Sequence, residues 1–136
     1  MDTSAKDVEL IWMIDDDKIH HFWFQKSLQI QGFSKQVMSF FKAEEAIEFF
    51  DQHLNDFSVL PDIIFLDLNM PLVNGWQFLQ RYATIKEKLQ KPIKIYVLSS
   101  TINKEEINRA TSIPEVSGFF SKPLKPDDIN QIWETN

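Results

Sequence analysis

Five short apolar runs, separated by stretches of helical periodicity, constrain this chain more than any other feature. The runs are Val8–Ile14, Gln36–Phe41, Asp62–Leu66, Ile93–Leu98 and Val116–Phe120. Two of them, around Leu10–Ile14 and Ile63–Leu66, are apolar without alternation, the pattern of a strand buried on both faces. Between the runs, Ala43, Ala46, Ile47, Phe50 and Leu54 share one helical face, and so do Phe78, Leu79, Tyr82, Ile85 and Leu89. Gly32 is placed to end a helix that begins near Lys18. Asn103 with Glu106 suits the cap of a helix running to about Ser112, and Pro126 before Asp127 and Asp128 suits the first turn of a last helix. Strands that alternate with helices pair in parallel through right-handed crossovers. The expected fold is α/β, a five-stranded parallel sheet with helices on both faces.

Composition narrows what such a fold does. A chain of 136 residues suits one domain, 1–136, and at this size folding buries roughly 68% of the unfolded surface. With 43% hydrophobic residues, twelve of them Phe, the core needs no staples. There is no cysteine, which excludes disulfides and thiolate metal sites and fits a reducing compartment, so a cytoplasmic location is expected. No apolar run approaches the ~20 residues of a membrane span, and Met1–Asp7 lacks a signal-peptide pattern. A net charge of −6 argues against gripping a nucleic-acid backbone.

The polar residues of interest stand where the strand runs end, which is where open α/β sheets hold ligands. Asp67 closes the third run and is followed by Leu68-Asn69-Met70-Pro71 and Gly75; Asp15-Asp16-Asp17 follows the first. Two carboxylates about 4 Å apart repel by roughly 4 kcal/mol at an effective dielectric near 20. A cluster of three therefore calls for a cation or a lysine. Magnesium suits such a set, because it takes one or two carboxylates, several waters and phosphate oxygens. Asp17 reads as a helix cap alone, and capping could also account for its two neighbours. Ser99-Ser100-Thr101 follows the fourth run and Lys122-Pro123 the fifth. Ser99 can donate to a phosphoryl oxygen, and Lys122 can reach toward Asp67 as a point charge, across a peptide bond that is free to be cis. Taken singly, a serine cluster is an ordinary turn, a lysine before proline a surface loop, and Phe119 a core residue. His20 and His21 are adjacent and share no helical face, and His53 stands alone, so all three read as structural or surface residues. The aromatic load of Phe22-Trp23-Phe24 exceeds one buried stripe; it is either ordinary core packing or partly exposed as a partner surface.

The order of these residues resembles the receiver domain of bacterial two-component response regulators over essentially the whole chain. The matching features are Ile14-Asp15-Asp16, then Asp67 with Met70-Pro71 and Gly75, then Ser99, then Lys122-Pro123. The resemblance implies a flavodoxin-like (βα)5 fold with Asp67 as phosphoacceptor, attacking the phosphohistidine of a sensor histidine kinase or a phosphotransfer protein. It implies Mg2+, with Mn2+ able to substitute, bound directly by Asp16, largely through water by Asp15, by Asp67, and by the backbone carbonyl of Asn69. Lys122 and Ser99 would hold the acyl phosphate, and Ser99 with Phe119 would couple it to a surface of the fourth helix, fifth strand and fifth helix. Such a chain is no general enzyme; it catalyses only its own phosphorylation and slow dephosphorylation. Thirteen residues follow Pro123, room for one helix and no effector domain, so output is expected through an unidentified protein target. The long segment from Tyr82 to Pro92 is similar to one in small receivers that serve photoreceptor or hybrid kinases.

Three positions depart from the commonest pattern: Ser99 in place of threonine, Ser100 in place of a small apolar residue, and Phe119 in place of tyrosine. The last removes the hydroxyl from the aromatic switch. Among other readings, a haloacid-dehalogenase-type phosphatase needs an aspartate where Asn69 stands. A flavodoxin-like cofactor protein needs a phosphate-cradling loop where Asp15–Asp17 would repel the phosphate. A non-phosphorylated pseudo-receiver acting as an interaction module is the remaining alternative.

Overall fold

The computed structural model describes residues 8–33, 36–70, 72–89, 91–100 and 103–135. Pro71, Thr101 and the segment Met1–Asp7, each part of the sequence reading, lie outside them. Strands and helices alternate in the order β1 (Leu10–Ile14), α1 (Lys18–Ile30), β2 (Gln36–Phe40), α2 (Ala43–Gln52), β3 (Ile63–Asp67), α3 (Gly75–Lys86), β4 (Lys94–Ser99), α4 (Lys104–Thr111), β5 (Val116–Ser121) and α5 (Pro126–Thr135). All strand pairings are parallel, and the sheet order is β2-β1-β3-β4-β5. This is the expected flavodoxin-like fold.

The period-two side-chain rule divides the core into two layers. Leu10, Trp12 and Ile14 with Ile64 and Leu66 pack against α2 and α3 through Ala46, Phe50, Phe78 and Tyr82. Ile11, Met13, Ile63 and Phe65 pack on the other face against Phe24 and Leu28 of α1 and Ile129 and Ile132 of α5. Every residue of β1 and β3 is buried, as an unalternating apolar run requires.

Element ends follow local chemistry. Asp17 caps α1 by accepting from the Ile19 and His20 amides at 3.0 and 3.3 Å. Gly32, at φ 79°, ends the same helix with the paired bonds Gly32 N–H to Gln29 C=O and Phe33 N–H to Leu28 C=O. That is a Schellman motif, and Phe33 and Leu28 meet in the same core layer. Asn103 caps α4 by accepting from Glu105 and Glu106.

The expected boundaries shift by one to three residues. Asp62 stands just before β3: its backbone N–H donates to Leu10 C=O and its C=O accepts from Lys94, while its carboxylate accepts the Glu9 and Leu10 amides at the mouth of β1. Asp67, Ser99 and Ser121 become the last strand residues, while Val8, Glu9, Phe41 and Ile93 fall outside the sheet. Leu54 and Leu89 lie past the ends of α2 and α3 but still pack against the core. Tyr82 belongs to α3, so the connection from α3 to β4 is only 87–93.

Candidate functional site

The chain leaves β1 toward one edge of the sheet and returns through β3 to build the other, so a crevice opens where these neighbours end. Asp15 and Asp16 follow β1, and Asp67 is the last residue of β3. Asp15 and Asp67 are buried and Asp16 is exposed, and one carboxylate oxygen of each lies within 4.8 Å of the others. Like charge at that spacing is offset from β5. Lys122 reaches Asp15 Oδ2 at 3.0 Å and Asp67 Oδ2 at 3.5 Å. Its backbone N–H donates to Ser99 C=O at 2.8 Å, so β4–β5 pairing carries the lysine to the crevice. The Lys122-Pro123 bond is cis.

The two buried carboxylates are held in different states. Burial, then the charge of Asp15, pushes Asp67 from 3.8 up to about 7, against the opposing pull of Lys122 and the Asn69 amide. Burial also acts to raise Asp15, but bonds from His20, the Asp17 amide and Lys122 outweigh it and hold Asp15 down at about 2. Burial disfavours the Lys122 ammonium, yet its acidic neighbours outweigh that and raise its pKa. The crevice therefore holds a firmly ionised Asp15, an ammonium at Lys122, and an Asp67 poised near neutrality.

Asp67 Oδ1 accepts the Asn69 amide at 3.1 Å. Ser99 is fully buried at the end of β4, and the Asn69 side-chain amide donates to its hydroxyl at 3.5 Å. Gly75 lets α3 start against this loop: a Cβ there would meet Asp67 O at 2.6 Å and Leu68 Cα at 2.7 Å. The sequence thus marks the principal residues, and the structure brings Asp15, Asp16, Asp67, Asn69, Ser99 and Lys122 to one end of the sheet. Phe119 is half-buried against the α2–α3 layer, a core role. Asp17 turns away to cap α1.

Sequence reasoning took His20 and His21 as structural or surface residues and did not foresee their tie to Asp15. Both are buried, as structural residues would be, yet each ties to Asp15. His20 Nδ1 lies 2.6 Å from Asp15 Oδ2, and His20 Nε2 accepts the Leu124 amide at 3.1 Å. His21 Nε2 donates to Asp15 C=O at 2.7 Å, its ring packs on Phe41, and its Nδ1 is buried without a partner. Burial, above all, lowers the pKa of His21. The aromatic triplet divides: Phe24 is buried, while Phe22 and Trp23 are exposed at 55% and 56%, beside Ile19 at 69%.

Three hard carboxylate oxygens beside a crevice suit a hard divalent cation of the Mg2+ type. Asp15 is the least available of the three. Its Oδ1 already accepts the Asp17 amide at 2.8 Å and Lys122 at 3.2 Å, while Oδ2 is held by His20 and Lys122. Asp16 has no such engagement among the bonds described and faces solvent.

Comparisons with known proteins point to one family. The chain is 25% identical over 131 residues to a probable methanogenesis regulatory protein, FilR2, from Methanothrix harundinacea, covering 96% of this chain and 83% of that protein. It is 29% identical over 130 residues to hybrid signal transduction histidine kinase C of Dictyostelium discoideum, covering 91% of this chain but only 10% of that protein. Among solved structures, a two component response regulator from Cytophaga hutchinsonii has the same fold, with a TM-score of 0.81 at 24% identity, covering 94% of this chain and 96% of the other. A response regulator receiver protein from Dyadobacter fermentans superposes with a TM-score of 0.77 at 26% identity, covering 93% and 96%. The family model of the response regulator receiver domain matches residues 11–134. That match runs from the first strand into the last helix, and the chain belongs to the family of response regulator receiver domains.

Proposed function

We propose that this receiver domain accepts a phosphoryl group on Asp67 from a phosphohistidine of a sensor histidine kinase or phosphotransfer protein. The observation that carries the reading is the position of Asp67. Its carboxylate ends the central strand, with the Lys122 ammonium at one oxygen and the Asn69 amide at the other. One Asp67 oxygen attacks phosphorus as the P–N bond to the donor imidazole breaks, and the imidazole leaves with the electron pair and takes up a proton. The product is an acyl phosphate. Phosphoryl transfer passes through a loose transition state, so the protein's work is to position the nucleophile in line and to neutralise the equatorial oxygens. Lys122 and the Ser99 hydroxyl do this from the β4–β5 side, with the Asn69 backbone amide beside the Asp67 carboxylate. Asp16, Asp67 and the Asn69 carbonyl would hold Mg2+ (or Mn2+), with Asp15 acting through its charge and bridging water. Bound there, the cation supplies positive charge that favours ionised Asp67 and offsets the phosphoryl oxygens.

Phosphorylation replaces a carboxylate by a group carrying roughly one more negative charge, enough to bias a two-state surface. Output then passes by protein contact to a downstream target, with 1–136 acting as one receiver unit. Without a hydroxyl on Phe119, coupling from Ser99 to the α4–β5–α5 face rests on packing alone. Borohydride trapping tests the assignment, because it reduces an acyl phosphate and leaves homoserine at the modified position. After reaction with acetyl phosphate and Mg2+, peptide mapping is expected to find homoserine at position 67. Homoserine elsewhere, or none from a protein that has gained phosphate, would overturn the reading.

A further inference from the structure

His20 lies in the first turn of α1, buried, with both ring nitrogens engaged. The Leu124 N–H is a donor only, so the nitrogen it meets, Nε2 at 3.1 Å, carries a lone pair. The ring proton therefore sits on Nδ1, 2.6 Å from Asp15 Oδ2, and the hydrogen bond between them is short and charge-assisted. Leu124 is itself anchored. It is 1% exposed within the α1–α5 layer, and its carbonyl accepts the Ser27 hydroxyl of α1 at 3.4 Å. One helix thus holds both backbone groups of a residue two positions beyond Lys122. The geometry is that of an oriented imidazole: a fixed acceptor bond at one nitrogen selects the tautomer, and the other nitrogen aims a carboxylate.

We propose that His20 is a positioning residue for phosphoryl acceptance, orienting the Asp15 carboxylate between Lys122 and the site of Asp67. The alternative rotamers of Asp15 are penalised because each abandons the Nδ1 proton inside the core. Lys122 is placed by the same carboxylate, which it meets at 3.0 and 3.2 Å, so a loose Asp15 loosens the lysine that faces Asp67. His20 touches neither Asp67 nor the reacting phosphorus. The inference rests on the function proposed above.

Three substitutions separate positioning from mere packing. An asparagine amide stands near the place of Nδ1 and can still donate to Asp15. A glutamine amide stands near Nε2 and can still accept from Leu124. The initial rate of phosphoryl uptake from acetyl phosphate is measured by intact mass for wild type, His20→Ala, His20→Asn and His20→Gln, alongside melting temperatures and Asp67→Asn. Removing a partner that orients a site ligand typically costs about 10- to 100-fold. His20→Gln and His20→Ala are expected to slow uptake by about tenfold or more on that scale. His20→Asn is expected to recover most of the rate even where its melting temperature matches that of His20→Gln. If His20→Ala does not fold, the asparagine–glutamine pair decides. Equal rates in that pair, or rates that follow melting temperature alone, overturn the inference and leave the proposed function standing. A wild type that takes up no phosphoryl group at Asp67 overturns both.

Discussion

Asp15, Asp16 and Asp67 lie within 4.8 Å of one another, yet each is in a different situation. Asp15 is buried and saturated with donors, Asp16 faces solvent, and Asp67 is buried with weaker support. Asp17, their neighbour in sequence, is a cap. Replacing it should therefore touch stability and not chemistry: Asp17→Ala is expected to cost about 1 kcal/mol, measured by denaturant unfolding, with metal affinity unchanged. Asp16→Asn should do the reverse, weakening metal binding while holding or raising metal-free stability, because it removes a charge from a repelling group. The pH behaviour of Asp67 is another residue-scale test. Between 3.8 and about 7 the folded, metal-free protein keeps a proton on Asp67 that the unfolded chain has released. Stability from this group is present at low pH and lost as pH rises through that window. The difference in unfolding free energy between wild type and Asp67→Asn should accordingly fall from pH 5 to pH 8 without metal, and an unchanged difference would contradict the assignment. The carboxylates, Ser99 and Lys122 were legible in the sequence because they stand where apolar runs stop. His20 and His21 were not, because the search was for pairs sharing a helical face. Side chains in a helix's first turn lean back over the turn before their own Cα, and this carries both rings to Asp15.

At the scale of elements, the loop from β3 to α3 is the tightest part of the site. The Gly75 N–H donates to Leu68 C=O at 3.1 Å, and the absence of a Cβ lets the two backbones approach. Gly75→Ala would drive a methyl group into backbone atoms that cannot swing aside. It is expected to cost about 1–3 kcal/mol and to slow phosphoryl acceptance, read by unfolding and uptake rate together. Full stability in that variant would show that the loop has room. Helix starts were well marked in the sequence where a cap stood before a periodic stretch, as at Asn103. The capping box of Asn74 with Gln77 was overlooked beside the more conspicuous Gly75. Helix ends were overrun at Leu54 and Leu89, since apolar residues that pack on the core continue the periodic pattern whether or not the backbone is still helical. The exposed apolar residues of α1, namely Ile19, Phe22, Trp23 and Ile30, could not be told from core by periodicity, because apolar residues stand on two separate faces of that helix.

For the molecule as a whole, strand alternation was enough to give a parallel sheet, and the acidic strand ends marked the end of it where the candidate site lies. Which strands are neighbours was not legible. The crevice depends on β1 lying between β2 and β3, a consequence of packing α1 and α5 on one face and α2, α3 and α4 on the other. A cation that bound only to the folded crevice would stabilise it by mass action, by about 2.7 kcal/mol at a hundred times Kd. Thermal melts with and without Mg2+ should show that gain in the wild type and lose most of it in Asp16→Asn; equal gains would place the cation elsewhere. On the function proposed above, this end of the sheet accepts one phosphoryl group on Asp67. The most direct measurement is intact mass after incubation with acetyl phosphate and Mg2+, for wild type and Asp67→Asn side by side. The wild type is expected to gain one phosphoryl group, a gain that requires the metal and disappears in Asp67→Asn. A folded wild-type protein that binds Mg2+ yet gains nothing, even from a phosphohistidine donor, would contradict it and identify the chain as a non-phosphorylated interaction module.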